Sequence, residues 1–223
     1  MTPAAGSAPG RAPLREFSRR IGSATVTVEA REQLGTQADA LLDIIAAYAD
    51  ELRDKFSVQA GWAPFMLVAR GEDRFGVVAP DFATETPDQV GWVGDLTLAL
   101  WVLNGQVTVA RRLPGAEPQP VHFNDTVLCW RGIENAERLI MSRTARKDRA
   151  DDSGWYIDVF PQPRESRQAN EFVRWPAFQL LGVNKHIARA LLLPVGYGAV
   201  VSPTRIDAII DLSAGSVAVP GPL

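Results

Sequence analysis

Three residues able to support acyl transfer lie close together in the chain: His122, Asp125 and Cys129. A thiolate beside a histidine, with a carboxylate to orient the ring, is a workable nucleophile–base arrangement. The surroundings argue against it. Cys129 stands between Leu128 and Trp130 in an apolar run, where a free cysteine is usually a packed, inert thiol. No family-specific cysteine signature surrounds it. Metal chemistry has less support still. His122 and His186 are far apart, and neither has a second ligand at the short spacing of a zinc site. Phosphate-binding glycine loops and the Gly-x-Ser-x-Gly elbow are absent. The expectation is no catalytic residue, no metal ligand and no cofactor, and therefore not an enzyme.

Binding chemistry has better candidates. Asp151, Asp152, Ser153, Gly154, Trp155 and Tyr156 form the most distinctive stretch. Aspartate and serine bond backbone amides in turns, glycine accepts a positive φ, and a tryptophan pins the strand that follows. Tryptophan and tyrosine beside acidic groups are equally typical of interface anchors. Trp92, flanked by Gly91 and Gly94, is a second candidate: a loop tryptophan either docks a partner or folds over the edge of the core. The candidate binding set is Asp151, Asp152, Ser153, Trp155, Tyr156 and Trp92.

The elements that position these residues are mixed. Residues 1–16 are rich in Pro, Gly and Ala and read as a disordered leader without the apolar core of a signal peptide. Ala24–Val28 alternates as a strand. Thr36 caps a helix that carries Leu41, Leu42, Ile44, Ile45, Tyr48, Ala49 and Leu52 on one face and ends near Phe56. Trp62–Ala69 and Arg74–Ala79 form a hairpin about Gly71-Glu72-Asp73. Leu96–Leu103 reads either as a helix stopped by Asn104-Gly105 or as the first strand of a hairpin with Gln106–Leu113, where the β-branched Val107, Thr108 and Val109 favour strand. Pro114–Pro120 marks a boundary. Beyond it come a strand over Val121–Trp130, a segment over Glu134–Met141 that fits helix or strand, and a strand over Trp155–Phe160. A helical segment from Asn170 or Glu171 to Leu181 follows, then a short helix over Lys185–Leu192, where His186 reads as a surface or cap residue. Tyr197–Val201 and Ile206–Leu212 close the fold. The expectation is an α+β fold with a mixed, mainly antiparallel sheet, a few short helices and two subdomains. They occupy residues 17–113 and 121–213, with a flexible tail over 214–223.

Composition sets the outer limits. Of the 223 residues, 46% are hydrophobic and 22% charged, enough to bury a core. A net charge of −3 carries no basic footprint for nucleic acid. One cysteine excludes a disulfide framework and fits a reducing, cytoplasmic compartment. No run approaches the length of a membrane-spanning helix.

From about Val127 to Asp211 the chain resembles a bacterial immunity-protein family, immunity protein 33. Three places carry the resemblance. They are Met141-Ser142-Arg143 leading to Asp151–Tyr156, a helix–turn segment over Phe178–Leu193, and the turn Leu192-Leu193-Pro194-Val195-Gly196 before the last strand pair. The sequence departs from the family after the tryptophan, where Asp158-Val159-Phe160-Pro161-Gln162-Pro163 replaces an aromatic stretch and an acidic turn. The resemblance implies an antidote that binds a cognate protein toxin and occludes its active site, with no turnover, no nucleic acid and no membrane among its partners. Two other readings compete: a non-enzymatic accessory or adaptor module of a secretion or regulatory assembly, and a small cysteine-dependent enzyme.

Overall fold

A computed structural model describes residues 13–83, 90–146, 149–162 and 167–223. The chain divides into two compact units. One takes the described residues up to Val58 with Phe65–Ala79 and Val93–Leu100. The other takes Gln59–Pro64, the described part of Pro80–Trp92, and Trp101–Leu223 apart from its undescribed residues.

In the first unit, β1 (Leu14–Ile21) and β2 (Ala24–Arg31) form an antiparallel hairpin about Gly22, whose φ of 60° suits a glycine. Every second residue of β2 points inward, so Val26, Val28 and Ala30 are fully buried. α1 (Gly35–Ala46) follows, burying Ala38, Leu41, Leu42 and Ile45 at helical spacing, but Thr36 lies inside its first turn rather than at its cap, and Ile44, Tyr48 and Ala49 are exposed. It ends well before Phe56 and passes into a 3-10 turn at Ala49–Glu51. The strands β3 (Ser57–Ala60), β4 (Ala63–Ala69) and β5 (Arg74–Pro80) follow, with the two-residue β6 (Trp92–Val93). β4 and β5 make the expected hairpin, with Ala69 opposite Phe75. The sheet order is β1-β2-β5-β4-β3, with β6 on β5 and a parallel β2/β5 pair.

Asp95 accepts the Thr97 amide at 2.9 Å at the start of α2 (Thr97–Ala110). The helix runs straight through Asn104-Gly105, which eliminates the hairpin reading. Gly105 is a packing residue, not a stop, since a Cβ there would meet the Arg189 side chain.

The second unit is built on β7 (Thr126–Trp130), β8 (Leu139–Arg143), β9 (Asp152–Val159), β10 (Phe172–Pro176), β11 (Tyr197–Ser202), β12 (Arg205–Asp211) and β13 (Ser216–Pro220). Their order is β10-β7-β9-β8-β11-β12-β13, antiparallel throughout except for β7/β9. α3 (Leu180–Val183) and α4 (Lys185–Ala190) bury Leu180, Ile187, Ala188 and Ala190. The fold is thus α+β, with mixed sheets and short helices.

Several expectations need correction. Leu14, Arg15 and Glu16 are not leader but lie in β1, paired with Arg31, Ala30 and Glu29; residues 1–12 of the expected leader lie outside the described residues. Charged side chains on an exposed edge strand hid it from hydrophobic patterning. The tail is not loose, because Ser216–Pro220 pairs with β12. Phe172–Pro176 is a strand where a helix was expected: it pairs with Thr126–Trp130 through the backbone, which overrides local propensity. The units do not divide at Pro114–Pro120, where Gln119 donates its amide to Leu192 within the second unit. Among the described residues, no helix is long and apolar enough to cross a membrane.

Candidate functional site

Strand alternation splits the Asp151–Tyr156 stretch in two. Ser153 and Trp155 are buried, while Asp151, Asp152 and Tyr156 stay partly exposed. The Ser153 hydroxyl donates to the Thr126 carbonyl at 2.7 Å and accepts the Trp155 amide at 3.2 Å. Asp152 accepts the Gly154 amide at 2.9 Å, a short side-chain-to-backbone turn. Gly154 has φ 76°, and a Cβ there would overlap the Thr144 carbonyl oxygen. Only glycine lets β9 approach the end of β8 this closely. Asp151 forms a two-point pair with Arg149, at 3.0 Å for each bond, and accepts the Thr126 hydroxyl at 2.8 Å. These contacts, the Arg149 bond foremost, hold its carboxyl well below the usual range.

Arg143 ties this stretch to the rest of the second unit. It is 2% exposed, and one guanidinium nitrogen donates to three carbonyls: Gln119 at 2.6 Å, Leu191 at 3.2 Å and Leu193 at 2.6 Å. Its guanidinium carbon stands 5.6 Å from the Trp155 ring centroid. The Trp155 indole donates to the same Leu191 carbonyl at 3.2 Å. The Arg143 carbonyl in turn accepts the Gly196 amide at 3.0 Å. Burial pulls its pKa down to about 10, helped by the nearby Arg146 charge and opposed by Asp125, so it is charged at neutral pH. Sequence reasoning placed Arg143 beside the motif but missed its role, since nothing local shows that a cation will be spent on distant carbonyls.

The opposite sheet face carries a second group. Register places Phe172 opposite Trp130, Arg174 opposite Leu128, Leu128 opposite Tyr156 and Tyr156 opposite Ser142. Each of these side chains is partly or fully exposed. Asp158, 1% exposed, accepts Arg167 at 3.0 Å and the Tyr156 hydroxyl at 2.8 Å. Arg167 lies 4.2 Å over the Trp130 ring. Tyr156 packs on Phe172 with ring centroids 5.4 Å apart. Burial, then the Asp158 contact, raises the Tyr156 phenol above its ordinary range.

The nucleophile–base cluster does not assemble. Asp125 is buried, but its carboxylate accepts the His122 backbone amide at 3.0 Å and Arg146 at 3.2 Å, while the His122 side chain is exposed. Cys129 is fully buried and donates to the Val127 carbonyl of its own strand at 3.9 Å. Burial first, then Glu134, pushes its thiol up to about 12, so the nucleophilic thiolate is not formed at neutral pH. His186, read as a surface or cap residue, is buried in the first turn of α4, whose cap is Asn184. Asn184 accepts its amide at 2.9 Å, and its ring meets Trp101 edge-on at 6.0 Å. Among the described residues, no three His, Cys, Asp or Glu side chains gather as metal ligands. Trp92 is 45% exposed and stands in β6, apart from the sheet that carries Asp151–Tyr156.

With this geometry in hand, a family model, the Imm33-like domain, matches residues 105–211. Over these residues the chain is similar to the Imm33-like family. The matched region begins inside α2 at Gly105 and closes with β12, so it takes in Pro114–Pro120 and every contact of Arg143 given above. It extends further toward the N-terminus than the resemblance from Val127 suggested. Comparison with curated proteins and with solved structures finds no match.

Proposed function

We propose that this protein is an immunity protein that binds a cognate bacterial toxin and neutralises it by covering the toxin's active site. The match of residues 105–211 to the Imm33-like domain carries the reading. Occlusion needs a rigid complementary surface and no turnover. The inert placement of Cys129 and the diversion of Asp125 to a backbone amide agree with that chemistry. Asp151, Asp152 and Tyr156, partly exposed at the sheet, are the contact residues of the motif in this reading, and exposed Trp92 is a second anchor. Ser153 and Trp155 act from beneath by holding the strand in place. A single cysteine suits action in the cytoplasm.

The test is co-expression with the toxin encoded beside the gene. Growth should be restored, and the two proteins should co-purify at equal stoichiometry. Toxicity undiminished by well-folded protein would refute the proposal.

A further inference from the structure

Antiparallel sheets that face water on one side ordinarily alternate apolar residues inward with polar residues outward. The second sheet breaks this pattern. Its inner face buries Val127, Cys129, Trp155 and Ile157. Its outer face, read across the register, presents Leu128, Trp130, Tyr156 and Phe172, all partly exposed. Trp, Tyr and Arg are the residue types that dominate binding energy at protein interfaces.

These side chains are also held in place before any partner arrives. Asp158 fixes the Tyr156 hydroxyl, and Arg167, pinned by the same carboxylate, lies over Trp130. Ordering already present in the free protein is not lost on binding, which raises affinity.

Arg174 states what the partner must bring. It is exposed in β10, beside Leu128, and makes no ion pair and no side-chain hydrogen bond among the described residues. Its neighbour Arg167, by contrast, is paired with both Asp158 and Glu171. An apolar surface laid over Leu128 and Tyr156 would strip water from the Arg174 guanidinium. An unpaired, desolvated charge is costly, so a matching surface supplies a carboxylate in a two-point pair.

Resting on the immunity reading, we infer that the outer face of β10, β7 and β9 is the docking surface for the toxin. The toxin meets it with an apolar patch that carries one carboxylate aimed at Arg174. The aliphatic and aromatic neighbours select a protein surface over a phosphate backbone.

The experiment is calorimetric titration of the purified toxin encoded beside the gene into full-length protein, three arginine variants and Leu128→Asp. Arg174→Glu should weaken binding by about 100-fold. Arg174→Lys should retain most of it. Arg112→Glu, the same charge change at an exposed position on no strand of the sheet, should stay within about threefold of the parent. All three variants should keep the parent melting temperature. Leu128→Asp serves as a second probe of the same face. Unchanged affinity for both Arg174→Glu and Leu128→Asp would overturn the inference and leave the immunity reading standing. A parent protein that binds no toxin would defeat that reading and the inference with it. Concentration-dependent dimerisation of the parent, abolished by Arg174→Glu, would give the face to a second copy of this chain and also overturn the inference.

Discussion

Arg143 and Trp155 share one acceptor: the guanidinium and the indole each donate to the Leu191 carbonyl at 3.2 Å, with the guanidinium carbon 5.6 Å from the indole centroid. The three segments through which the sequence resembles the immunity protein 33 family therefore meet at a single buried cation. Arg143 ends the first, Trp155 belongs to the signature that follows it, and Leu191 and Leu193 belong to the helix–turn segment and the turn. Removing the cation leaves the Gln119 and Leu193 carbonyls short of a donor, while the Leu191 carbonyl keeps the Trp155 indole. Each orphaned buried acceptor costs about 1–3 kcal/mol. Arg143→Met should therefore lose roughly 3 kcal/mol or more in urea unfolding. The desolvation of the charge, visible in its lowered pKa, offsets part of this and explains why the loss stays below the full sum. A loss under about 1 kcal/mol would mean the carbonyls find water instead.

Gly154 should tolerate no side chain. Its φ of 76° disfavours alanine by about 1–2 kcal/mol, and the overlap with the Thr144 carbonyl adds displacement of one strand from the other. Gly154→Ala should lower stability by roughly 3 kcal/mol, similar to the 3–5 kcal/mol expected for Trp155→Ala. Thermal unfolding of the two variants side by side tests this ranking. Trp155→Ala that kept its melting temperature while losing partner binding would move Trp155 from scaffold to contact.

Cys129 should resist thiol reagents at pH 8 in the folded protein and react fully once urea unfolds it. The cause is its burial, which raises the thiol from its ordinary 9.0 to about 12. The sign for stability follows: above pH 9 the unfolded chain loses this proton first, so the contribution of the buried thiol to stability falls as pH rises from 9 toward 12. Cys129→Ala should leave neutralisation of the toxin unchanged. Rapid labelling of native protein would show an accessible thiol and revive the enzyme reading.

Acid should destabilise the second unit through Asp207. Its bond to Arg205 first, then the charges of Arg138 and Arg205, hold its carboxyl below the ordinary 3.8. A depressed carboxyl stabilises the fold above its unfolded value, and that contribution is lost as pH falls through the folded value. Stability should therefore decline below pH 3.8, and Asp207→Asn should flatten the decline while lowering stability at neutral pH. Urea unfolding at pH 3 and pH 6 gives both numbers.

Local chemistry made several elements legible from the residues alone. The alternation of Ala24–Val28, the turn at Gly71-Glu72-Asp73 and the helical spacing of Leu41, Leu42 and Ile45 are each set within a few residues, and the structure holds all three. The immunity resemblance was also legible, because it rests on short runs such as Asp151–Tyr156 and Leu192–Gly196 that a linear reading can see. Strands whose only support is backbone pairing were not. β1 is largely exposed and charged, β10 has no alternating apolar pattern, and β13 is small and exposed, so each exists only because a neighbouring strand supplies its hydrogen bonds. The same limit hid the site. The sequence by itself determined which side chains were present and, through the two-residue period of a strand, that Trp155 and Tyr156 face opposite ways. Only the tertiary structure decided that Trp155 faces in with Arg143 and that Tyr156 faces out with Trp130 and Phe172. That choice depends on register and on carbonyls far away in the chain, such as Leu191, which no local pattern encodes.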